Sequence, residues 1–466
     1  MKINLLEMER SELKRLISGG KLKVAIYGLG YVGLSLAAVW LRAGARVIGV
    51  EVDRSKVERL ITGYVPTTDK VVAETVKKGI KVGRLTLTSD GVGASKESNV
   101  KIVTVPVPLI NSEPSFDNLN SALTDIAKGL DKGDVVIIES SVPPTTTLRV
   151  ALPLLESRSG LKCEDDFALA YSPERILIGR AVQDIEERYP KVVAGVGPRS
   201  TKVVKDLYSL VARKGVLTMS NPTAAELEKL LEGVYRDVNI ALVNELAPLI
   251  SKLGLDFWEI IEIANSQPYC HLHKPGPGVG GACIPIYPKY VLYIAKRLGV
   301  KLPLIELART VNENMPAEVA KLALELLEEL GKDPSNSKVT ILGLAFRGDI
   351  NDSRLSPTYG IISSLKEEVR ELVVHDPFIG HDPELERLGV KLINDLRLAL
   401  KGSDLVIVVT DHSNYKGMKV SEIKELSGRD AVGVIDTRGV LSGWEAKLKG
   451  VRYVGIGRPW YLGMRT

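Results

Sequence analysis

The segment Lys23-Val-Ala-Ile-Tyr-Gly-Leu-Gly-Tyr-Val-Gly33 decides the fold of the first part of this chain. Its apolar residues form a short buried strand that breaks into a glycine turn, and a helix is predicted over residues 34–42. Gly28, Gly30 and Gly33 have the spacing Gly-x-Gly-x-x-Gly. These glycines permit a tight turn and bring the backbone close to a pyrophosphate, which the positive end of the helix attracts. The segment therefore predicts a dinucleotide-binding unit.

The second predicted strand, residues 45–51, ends in the carboxylate of Glu51. A carboxylate at this position accepts hydrogen bonds from the hydroxyls of the adenosine ribose and repels a 2′-phosphate. The cofactor is therefore predicted to be NAD rather than NADP, although Arg54 lies close enough in sequence to weaken that preference. The glycine motif alone also leaves FAD open.

The same plan occurs twice in the chain. After further predicted strands at 100–105 and 134–138, a second series begins at residue 338 and continues at 371–376, 404–410 and 431–436. Alternating strands and helices predict parallel sheets. The fold class is therefore α/β, with two doubly wound (Rossmann-like) parallel-sheet domains joined by a central helical spine. Because Gly343-Leu-Ala-Phe lacks the three-glycine spacing, the second series is not expected to bind a second NAD.

Four segments follow from this pattern: an N-terminal amphipathic extension (1–20), an NAD-binding domain (21–220), a central helical domain (221–330) and a C-terminal nucleotide-sized domain (331–466). The central segment contains a long helical pattern from Pro222 toward Leu253, which only Pro248 interrupts. A helix of this length between two domains usually serves as a spine and often as a dimer interface.

Composition restricts the class of protein. A chain of 466 residues with 45% hydrophobic and 26% charged residues is globular, and a net charge of +5 without dense basic runs argues against nucleic-acid binding. Three cysteines cannot all pair, which favours a reducing compartment. Neither a signal peptide nor a stretch of about 18 uncharged apolar residues is visible. We therefore expect a soluble, cytoplasmic protein without a membrane partner. The scarcity of glutamine (Gln183 and Gln267) resembles hyperthermophile usage.

A glycine-rich loop places one cysteine in a reactive setting. In Lys274-Pro-Gly-Pro-Gly-Val-Gly-Gly-Ala-Cys283 the glycines let the backbone approach a ligand closely. A thiol held there can become the covalent partner of a substrate, although a structural turn with a buried cysteine is the alternative. Cys270, His271 and His273 could ligate zinc, but their spacing matches no standard site, and no metal is predicted.

With the glycine fingerprint, the cysteine loop and two nucleotide-sized domains, the chain resembles the UDP-glucose/GDP-mannose dehydrogenase family over nearly its whole length. The motifs Tyr171-Ser-Pro-Glu-Arg175 and Tyr235-Arg-Asp-Val-Asn-Ile-Ala241 are most similar to the branch that oxidises UDP-N-acetylmannosamine. The resemblance implies a four-electron, NAD-dependent oxidation of the C6 alcohol of a UDP-N-acetylhexosamine to the uronate. UDP-N-acetyl-D-mannosamine is the expected substrate, with UDP-N-acetylglucosamine and UDP-glucose as alternatives. A homodimer or a dimer of dimers is expected.

The resemblance also implies roles for individual residues. Cys283 would attack the C6 aldehyde, Lys229 would stabilise the oxyanion, and Glu174 would activate the hydrolytic water. The residues expected to bind the cofactor are Gly28, Gly30, Tyr31, Val32, Gly33, Glu51, Thr104, Ser141 and Arg354. Those expected to bind the substrate are Arg175, Arg236, Asn239, His271, His273, Gly280, Arg347 and Arg438.

Three positions depart from the family pattern, and one of them is Pro144, which replaces the usual glycine of a Val-Pro-Gly turn. Gly233 stands where many relatives have an asparagine that assists the lysine, and Tyr287 stands where UDP-glucose dehydrogenases have an aspartate. These departures argue against UDP-glucose and leave the handling of water open. A non-catalytic nucleotide-sugar-binding protein would not need Cys283 and Lys229. A single-step 3-hydroxyacid dehydrogenase would have no use for the cysteine loop.

The position of Glu51 generates a prediction about the cofactor. The protein should prefer NAD to NADP, and Glu51→Ala should narrow that preference because it removes the repulsive carboxylate. The ratio of kcat/KM for the two cofactors measures the effect. Equal use of both cofactors by the unmutated protein would show that Glu51 has been misassigned.

Overall fold

The computed structural model describes residues 3–444 and 448–458, and the chain divides into two structural units. The first unit contains residues 1–232 and 289–300, and the second contains residues 233–288 and 301–466. The predicted N-terminal and C-terminal segments include residues 1–2, 445–447 and 459–466, which lie outside the described residues.

The first unit is built around one large sheet. Its strands are β1 (Lys23–Tyr27), β2 (Arg46–Val50), β3 (Leu85–Thr88), β4 (Val100–Val103), β5 (Leu109–Ile110), β6 (Glu113–Pro114), β7 (Val135–Ile138), β8 (Ala168–Tyr171), β9 (Lys191–Gly195) and β10 (Val216–Thr218). The order across the sheet is β10-β9-β8-β7-β4-β1-β2-β3, while β5 and β6 pair separately. Within the sheet the β8–β9 pair is antiparallel and the other described pairs are parallel.

Helices cover this sheet. They are α1 (Arg10–Ser18), α2 (Tyr31–Ala43), α3 (Arg54–Ile61), α4 (Lys70–Lys81), α5 (Gly91–Glu97), α6 (Asp117–Gly129), α7 (Leu152–Ser159), α8 (Ala181–Gln183) and α9 (Pro198–Tyr208). Short 3-10 or π-helical turns occur at Leu5–Glu7, Thr147–Ala151 and Asp184–Arg188. The long predicted helix is present as α10 (Pro222–Lys252), and the division between the two units falls within it.

The second unit repeats the plan. Its helices are α11 (Phe257–Ala264), α12 (Tyr287–Arg297, most of which groups with the first unit), α13 (Pro303–Glu329), α14 (Pro357–Leu365), α15 (Pro383–Leu388), α16 (Leu396–Leu400) and α17 (Val420–Ser427), with a 3-10 turn at Pro334–Asn336. Its strands are β11 (Lys338–Leu342), β12 (Glu371–His375), β13 (Lys391–Leu392), β14 (Leu405–Val408), β15 (Val432–Asp436) and β16 (Val451–Gly455). They form one parallel sheet in the order β13-β12-β11-β14-β15-β16.

Both sheets contain the doubly wound strand order 3-2-1-4-5-6, in which the order reverses beside the first strand, and the first sheet extends this order with β9 and β10. In the first unit the reversal lies between β1 and β4, with Val24 opposite both Val47 and Val100. Ligands bind such sheets at the carboxyl ends of the strands next to this reversal. The predicted fold class, two Rossmann-like sheets with a helical segment between them in sequence, is confirmed.

Residues 3–18 belong to the core of the first unit. Leu13 and Ile17, on the apolar face of α1, are buried in the same cluster as residues of β1 and β4, and Leu5 of the preceding 3-10 turn joins them. The Leu5 N–H donates to the carbonyl of Gly133 at 3.0 Å, just before β7. This segment therefore buries apolar surface rather than extending freely into solvent.

Buried charge is paired inside this unit. Lys101 in β4 forms an ion pair with Asp134, and both side chains are fully buried. The Lys101 ammonium also donates to the carbonyl of Ser98 at 2.7 Å. Removing either partner would leave an uncompensated charge in a medium of low polarity, which is strongly destabilising.

The packing of α1 gives a prediction about stability. Leu13→Ala should lower the free energy of unfolding by about 2–5 kcal/mol, because it opens a cavity in the core. Lys14→Ala, at an exposed position of the same helix, is the matched control. Urea unfolding of the two variants measures the difference. Equal small effects at both positions would contradict the assignment of α1 to the core.

Candidate active site

The glycine turn after β1 has the geometry that a bound dinucleotide requires. Gly28 has φ +92°, which favours glycine, and a Cβ at Gly33 would lie 2.0 Å from the carbonyl oxygen of Gly28. Apart from the adjoining residues and the backbone of α2, no heavy atom of the described residues lies within 4 Å of a Cβ built at Gly30, so this side of the turn is open. Gly30 is also the N-cap of α2 and supplies no side-chain cap. The first N–H groups of α2 are therefore suited to a pyrophosphate.

Glu51 lies directly beside this turn. One carboxylate oxygen accepts from the Leu29 N–H at 3.2 Å and from the Lys56 ammonium at 2.5 Å. The carboxylate is thus fixed next to the glycine turn, where it can accept from ribose hydroxyls. Lys56 supplies a positive charge at the same place, which is the charge a 2′-phosphate would meet once the carboxylate is removed.

The strand next to β1 contributes Thr104. Its hydroxyl donates to the carbonyls of Tyr27 at 3.0 Å and Gly28 at 2.7 Å, so it supports the turn from the other side of the reversal. Tyr31, the first residue of α2, donates its hydroxyl to the Leu177 carbonyl and accepts from the Gly179 N–H. The predicted cofactor residues Val32 and Ser141 are half-buried at the start of α2 and after β7.

Glu174 lies at the carboxyl edge of the same sheet in a cluster that the sequence did not reveal. Its carboxylate accepts from the ammonium of Lys191 at 2.6 Å, and this ammonium also donates to Glu139 at 2.7 Å. Tyr208 donates its hydroxyl to the second oxygen of Glu139. A charged residue at the start of the otherwise apolar stretch Lys191-Val-Val-Ala-Gly was the available sequence signal.

The charged groups in this cluster change one another's pKa values. Burial raises the pKa of Glu139 even though Lys191 draws it down, because one ammonium is shared between two carboxylates. Burial alone would lower the pKa of Lys191, but Glu139 and Glu174 outweigh it and leave this pKa above its ordinary value. Lys191 is therefore charged at neutral pH.

Helix α10 brings Lys229 into the first unit with a buried acid one turn before it. Glu226 accepts from the N–H groups of Thr145 at 2.6 Å and Thr147 at 2.7 Å, and from the hydroxyl of Thr147. Thr145 has φ +77°, a strained conformation for a β-branched residue. Glu226 thus ties the helix that carries Lys229, itself buried, to the loop that follows Ser141.

Arg175 is engaged within the first unit. Its guanidinium lies 3.3 Å from a Glu232 carboxylate oxygen and 3.7 Å from one of Glu228, and it donates to the carbonyl of Pro190 at 2.5 Å. The structure thus brings Arg175 beside α10. Its assignment to the substrate remains a prediction.

In the second unit the cysteine loop is packed closely against the segment after β11. A Cβ at Gly280 would lie 2.7 Å from the Leu355 carbonyl oxygen, and the Gly281 N–H donates to the carbonyl of Arg354 at 2.8 Å. Cys283 itself is exposed with a free thiol, and its carbonyl accepts the N–H of Tyr287 at 3.0 Å. The glycines therefore allow close packing on one side while the thiol stays accessible on the other.

Polar side chains of α10 hold the start of this loop. The side-chain amide of Asn239 donates to the His271 carbonyl and accepts from the His273 N–H, both at 2.7 Å. Asn244 accepts from the Gly276 N–H at 2.8 Å. Burial, helped by the charge of Arg236, lowers the pKa of His273 and favours its neutral form. Asn239 thus positions the histidine segment, while His271 stays exposed.

Three of the predicted arginines of the second unit lie after its strands, whereas Arg236 lies on α10. Arg354 forms a two-pronged ion pair with Asp352, and this pair, together with the nearby Cys283, raises its pKa. Arg438 donates to the Val409 carbonyl at 2.8 Å, and burial lowers its pKa. Arg347 is half-buried after β11.

Two of the departures from the family pattern, Gly233 and Tyr287, lie next to each other. A Cβ at Gly233 would lie 2.5 Å from a ring carbon of Tyr287, which is buried. The Tyr287 ring therefore occupies the space that a side chain at position 233 would need. The two substitutions form one packing unit.

The described residues were also compared with the requirements of a metal site and of a membrane-spanning helix. His, Cys, Asp and Glu side chains form no group of three or more that could hold a metal ion within residues 3–444 and 448–458. Over the same residues, no helix has the length and apolar character needed to cross a membrane.

Comparison with known proteins matches three consecutive parts of the chain to one family. Residues 22–212 match the NAD binding domain of the UDP-glucose/GDP-mannose dehydrogenase family, residues 223–314 its central domain, and residues 340–443 its UDP binding domain. A UDP-N-acetyl-D-mannosamine dehydrogenase from Pyrococcus horikoshii is 34% identical over 438 residues, covering 94% of this chain and 99% of that protein.

Solved structures of nucleotide-sugar dehydrogenases are also similar to this chain. The structure of a UDP-D-ManNAc dehydrogenase from Pyrococcus horikoshii superposes with a TM-score of 0.85 at 33% identity, covering 94% of this chain and 99% of the other. An NDP-N-acetyl-D-galactosaminuronic acid dehydrogenase from Methanosarcina mazei superposes with a TM-score of 0.80 at 31% identity, covering 97% and 98%.

The buried Glu226 carboxylate gives a prediction about pH. Burial raises its pKa from 4.5 to about 7, so the folded protein binds this proton more tightly than the unfolded chain. Between pH 4.5 and about pH 7, the contribution of Glu226 to the free energy of unfolding should therefore fall as pH rises. Glu226→Gln should remove that component.

Urea unfolding across this pH range measures the slope for both proteins. Glu58→Gln, at an exposed position on α3, is the control and should leave the slope unchanged. An identical slope in the Glu226→Gln variant and the unmutated protein would contradict the raised pKa.

Proposed function

The chain belongs to the UDP-glucose/GDP-mannose dehydrogenase family, and we propose that it oxidises the C6 alcohol of UDP-N-acetyl-D-mannosamine to the uronate. The protein is an NAD-dependent nucleotide-sugar dehydrogenase, and its C-terminal sheet belongs to the UDP binding domain of the family. The named activity of relatives that are 30–34% identical over most of the chain supports the choice of sugar.

The single observation that carries the chemistry is the exposed Cys283 at the end of a loop whose glycines are closely packed. Burial raises the pKa of the Cys163 thiol to about 11, which makes that cysteine a poor nucleophile. Cys283 is therefore the better placed of the two for covalent chemistry.

The reaction needs two oxidations of the same carbon. When bound, NAD accepts one hydride in each oxidation, with a fresh NAD for the second. The Cys283 sulfur adds to the C6 aldehyde, and the carbonyl oxygen takes a proton to give a thiohemiacetal. Loss of hydride and a proton leaves a thioester, which water cleaves to the carboxylate and the free thiol. Covalent capture keeps C6 in place between the two oxidations.

The other predicted residues supply proton transfer and charge stabilisation. Lys229, buried on α10, is suited to stabilise the oxyanion that forms when sulfur or water attacks the carbonyl. Glu174, whose carboxylate accepts from the Lys191 ammonium, is suited to take the proton of the hydrolytic water. Glu51 and the glycine turn would hold the adenosine ribose and the pyrophosphate.

Oxidation of a panel of nucleotide sugars tests the proposed substrate. UDP-N-acetyl-D-mannosamine should have the highest kcat/KM among UDP-N-acetylmannosamine, UDP-N-acetylglucosamine, UDP-N-acetylgalactosamine and UDP-glucose. It should yield two NADH for each sugar consumed. A stable ratio of one NADH, with free aldehyde in solution, would contradict the four-electron reaction. Higher activity on another sugar would contradict the choice of substrate.

Substitution of the cysteine tests the mechanism. Cys283→Ala should abolish formation of the uronate while NAD and the UDP-sugar still bind, because no thioester can form. Cys163→Ala and Cys270→Ala are matched controls that should keep activity. Uronate release measured by mass spectrometry and ligand binding measured by calorimetry separate the two effects. Near-normal uronate formation by Cys283→Ala would exclude the covalent route.

A further inference from the structure

Three side chains and a phenol form a closed network behind Glu174 in the first unit. The three hydrogens of the Lys191 ammonium are used by Glu174 at 2.6 Å, Glu139 at 2.7 Å and the Pro173 carbonyl at 3.3 Å. The side chains of Lys191, Glu139 and Glu174 are 4%, 0% and 5% exposed. The ammonium also lies 5.1 Å from the centre of the Tyr208 ring. The network is therefore buried, and the ammonium at its centre is fully hydrogen-bonded.

The sheet topology explains why a lysine lies at this edge. Parallel strands end at the carboxyl edge, whereas β9, antiparallel to β8, begins there. The β8–β9 register pairs Ala170 with Gly195 and Tyr171 with Ala194, and its continuation brings Glu174 opposite Lys191. The Ser172 hydroxyl, which donates to the Val192 carbonyl at 2.7 Å, maintains that register between them.

Both oxygens of Glu174 are held. One accepts from Lys191, and the other accepts from the N–H of the next residue, Arg175, at 2.8 Å. The carboxylate therefore has one orientation, and its strength as a base depends on how much of the ammonium charge it receives. Glu139 competes for that same ammonium.

We propose that Lys191 and Glu139 are positioning residues that orient Glu174 and set its basicity, with Glu139 drawing the ammonium partly away from it. This inference rests on the proposed role of Glu174 in activating the hydrolytic water. A protonated or neutral residue at position 139 leaves the ammonium to Glu174 alone and makes it a weaker base. Loss of the ammonium leaves two buried carboxylates facing each other, so Glu174 binds a proton more tightly.

The two partners therefore have opposite effects, which a purely structural role would not produce. The other ionisable groups that face the cluster stay the same in each variant. Tyr171 on β8, Tyr189 before β9 and Tyr208 on α9 face the two carboxylates, and Arg175 follows Glu174 directly. The groups behind them are Asp184 and Arg180, which face Tyr189, and Glu226, Glu228 and Tyr290, which face Tyr171. If the acid limb of the pH–rate profile moves in opposite directions in the Lys191 and Glu139 variants, the cause is therefore the ammonium that the two carboxylates share.

The experiment measures the hydrolytic step of the full-length enzyme as a function of pH, by quenched-flow release of uronate in a single turnover. Lys191→Met should move the acid limb of the rate profile upward by about one pH unit or more. Glu139→Gln should move the limb to lower pH and reduce the plateau rate, because a weaker base remains. Lys191→Arg, which keeps the charge, should restore most of the profile. The KM values for NAD and the UDP-sugar should not change.

Glu174→Gln separates this inference from the proposed function. If Glu174→Gln hydrolyses the thioester normally, the role of Glu174 itself is wrong. If Glu174→Gln is impaired but neither partner variant moves the acid limb, only the positioning role is overturned. If Lys191→Met does not fold, the isosteric Glu139→Gln decides: a shift to lower pH supports the proposal, and an unmoved limb overturns it.

Discussion

Position 33 has no room for a side chain, since a Cβ there would lie 2.0 Å from the carbonyl oxygen of Gly28. This close approach lets α2 lie directly on β1, so that Trp40 is fully buried against Tyr208 at a ring distance of 5.8 Å. It also sets the N-terminus of α2 at the carboxyl edge of the sheet. The cofactor turn and the core of the first unit thus depend on one backbone contact.

Tyr208 links that core to the chemistry proposed for the same edge. Its ring packs against Trp40, while its hydroxyl donates to Glu139 in the network around Lys191. Helix α1 packs against α9, the helix that ends at Tyr208, through residues such as Leu13. Packing far from the glycine turn therefore fixes the phenol, which in turn fixes one carboxylate of the charged network.

Much of the fold was predictable because it depends on patterns within short contiguous segments of the sequence. Strand periodicity, the glycine spacing and the repeat after residue 338 lie in contiguous segments, and both predicted sheets formed. The network of Lys191 with Glu139 was not predictable, because these residues are 52 positions apart and meet only through strand pairing. The link between Gly233 and Tyr287 was missed for the same reason, although each departure was visible alone.

The sequence by itself determined the α/β class, the glycine turn with Glu51 beside it, and the cysteine at the end of a glycine loop. Each of these depends on the spacing of neighbouring residues, which sets backbone conformation locally. Only the tertiary structure decided which charged groups lie close enough to change one another's pKa values. The antiparallel β9 brings Lys191 opposite Glu174, and α10 brings Glu226 to the strained Thr145, because desolvation and hydrogen bonding act on groups that the chain separates and folding joins.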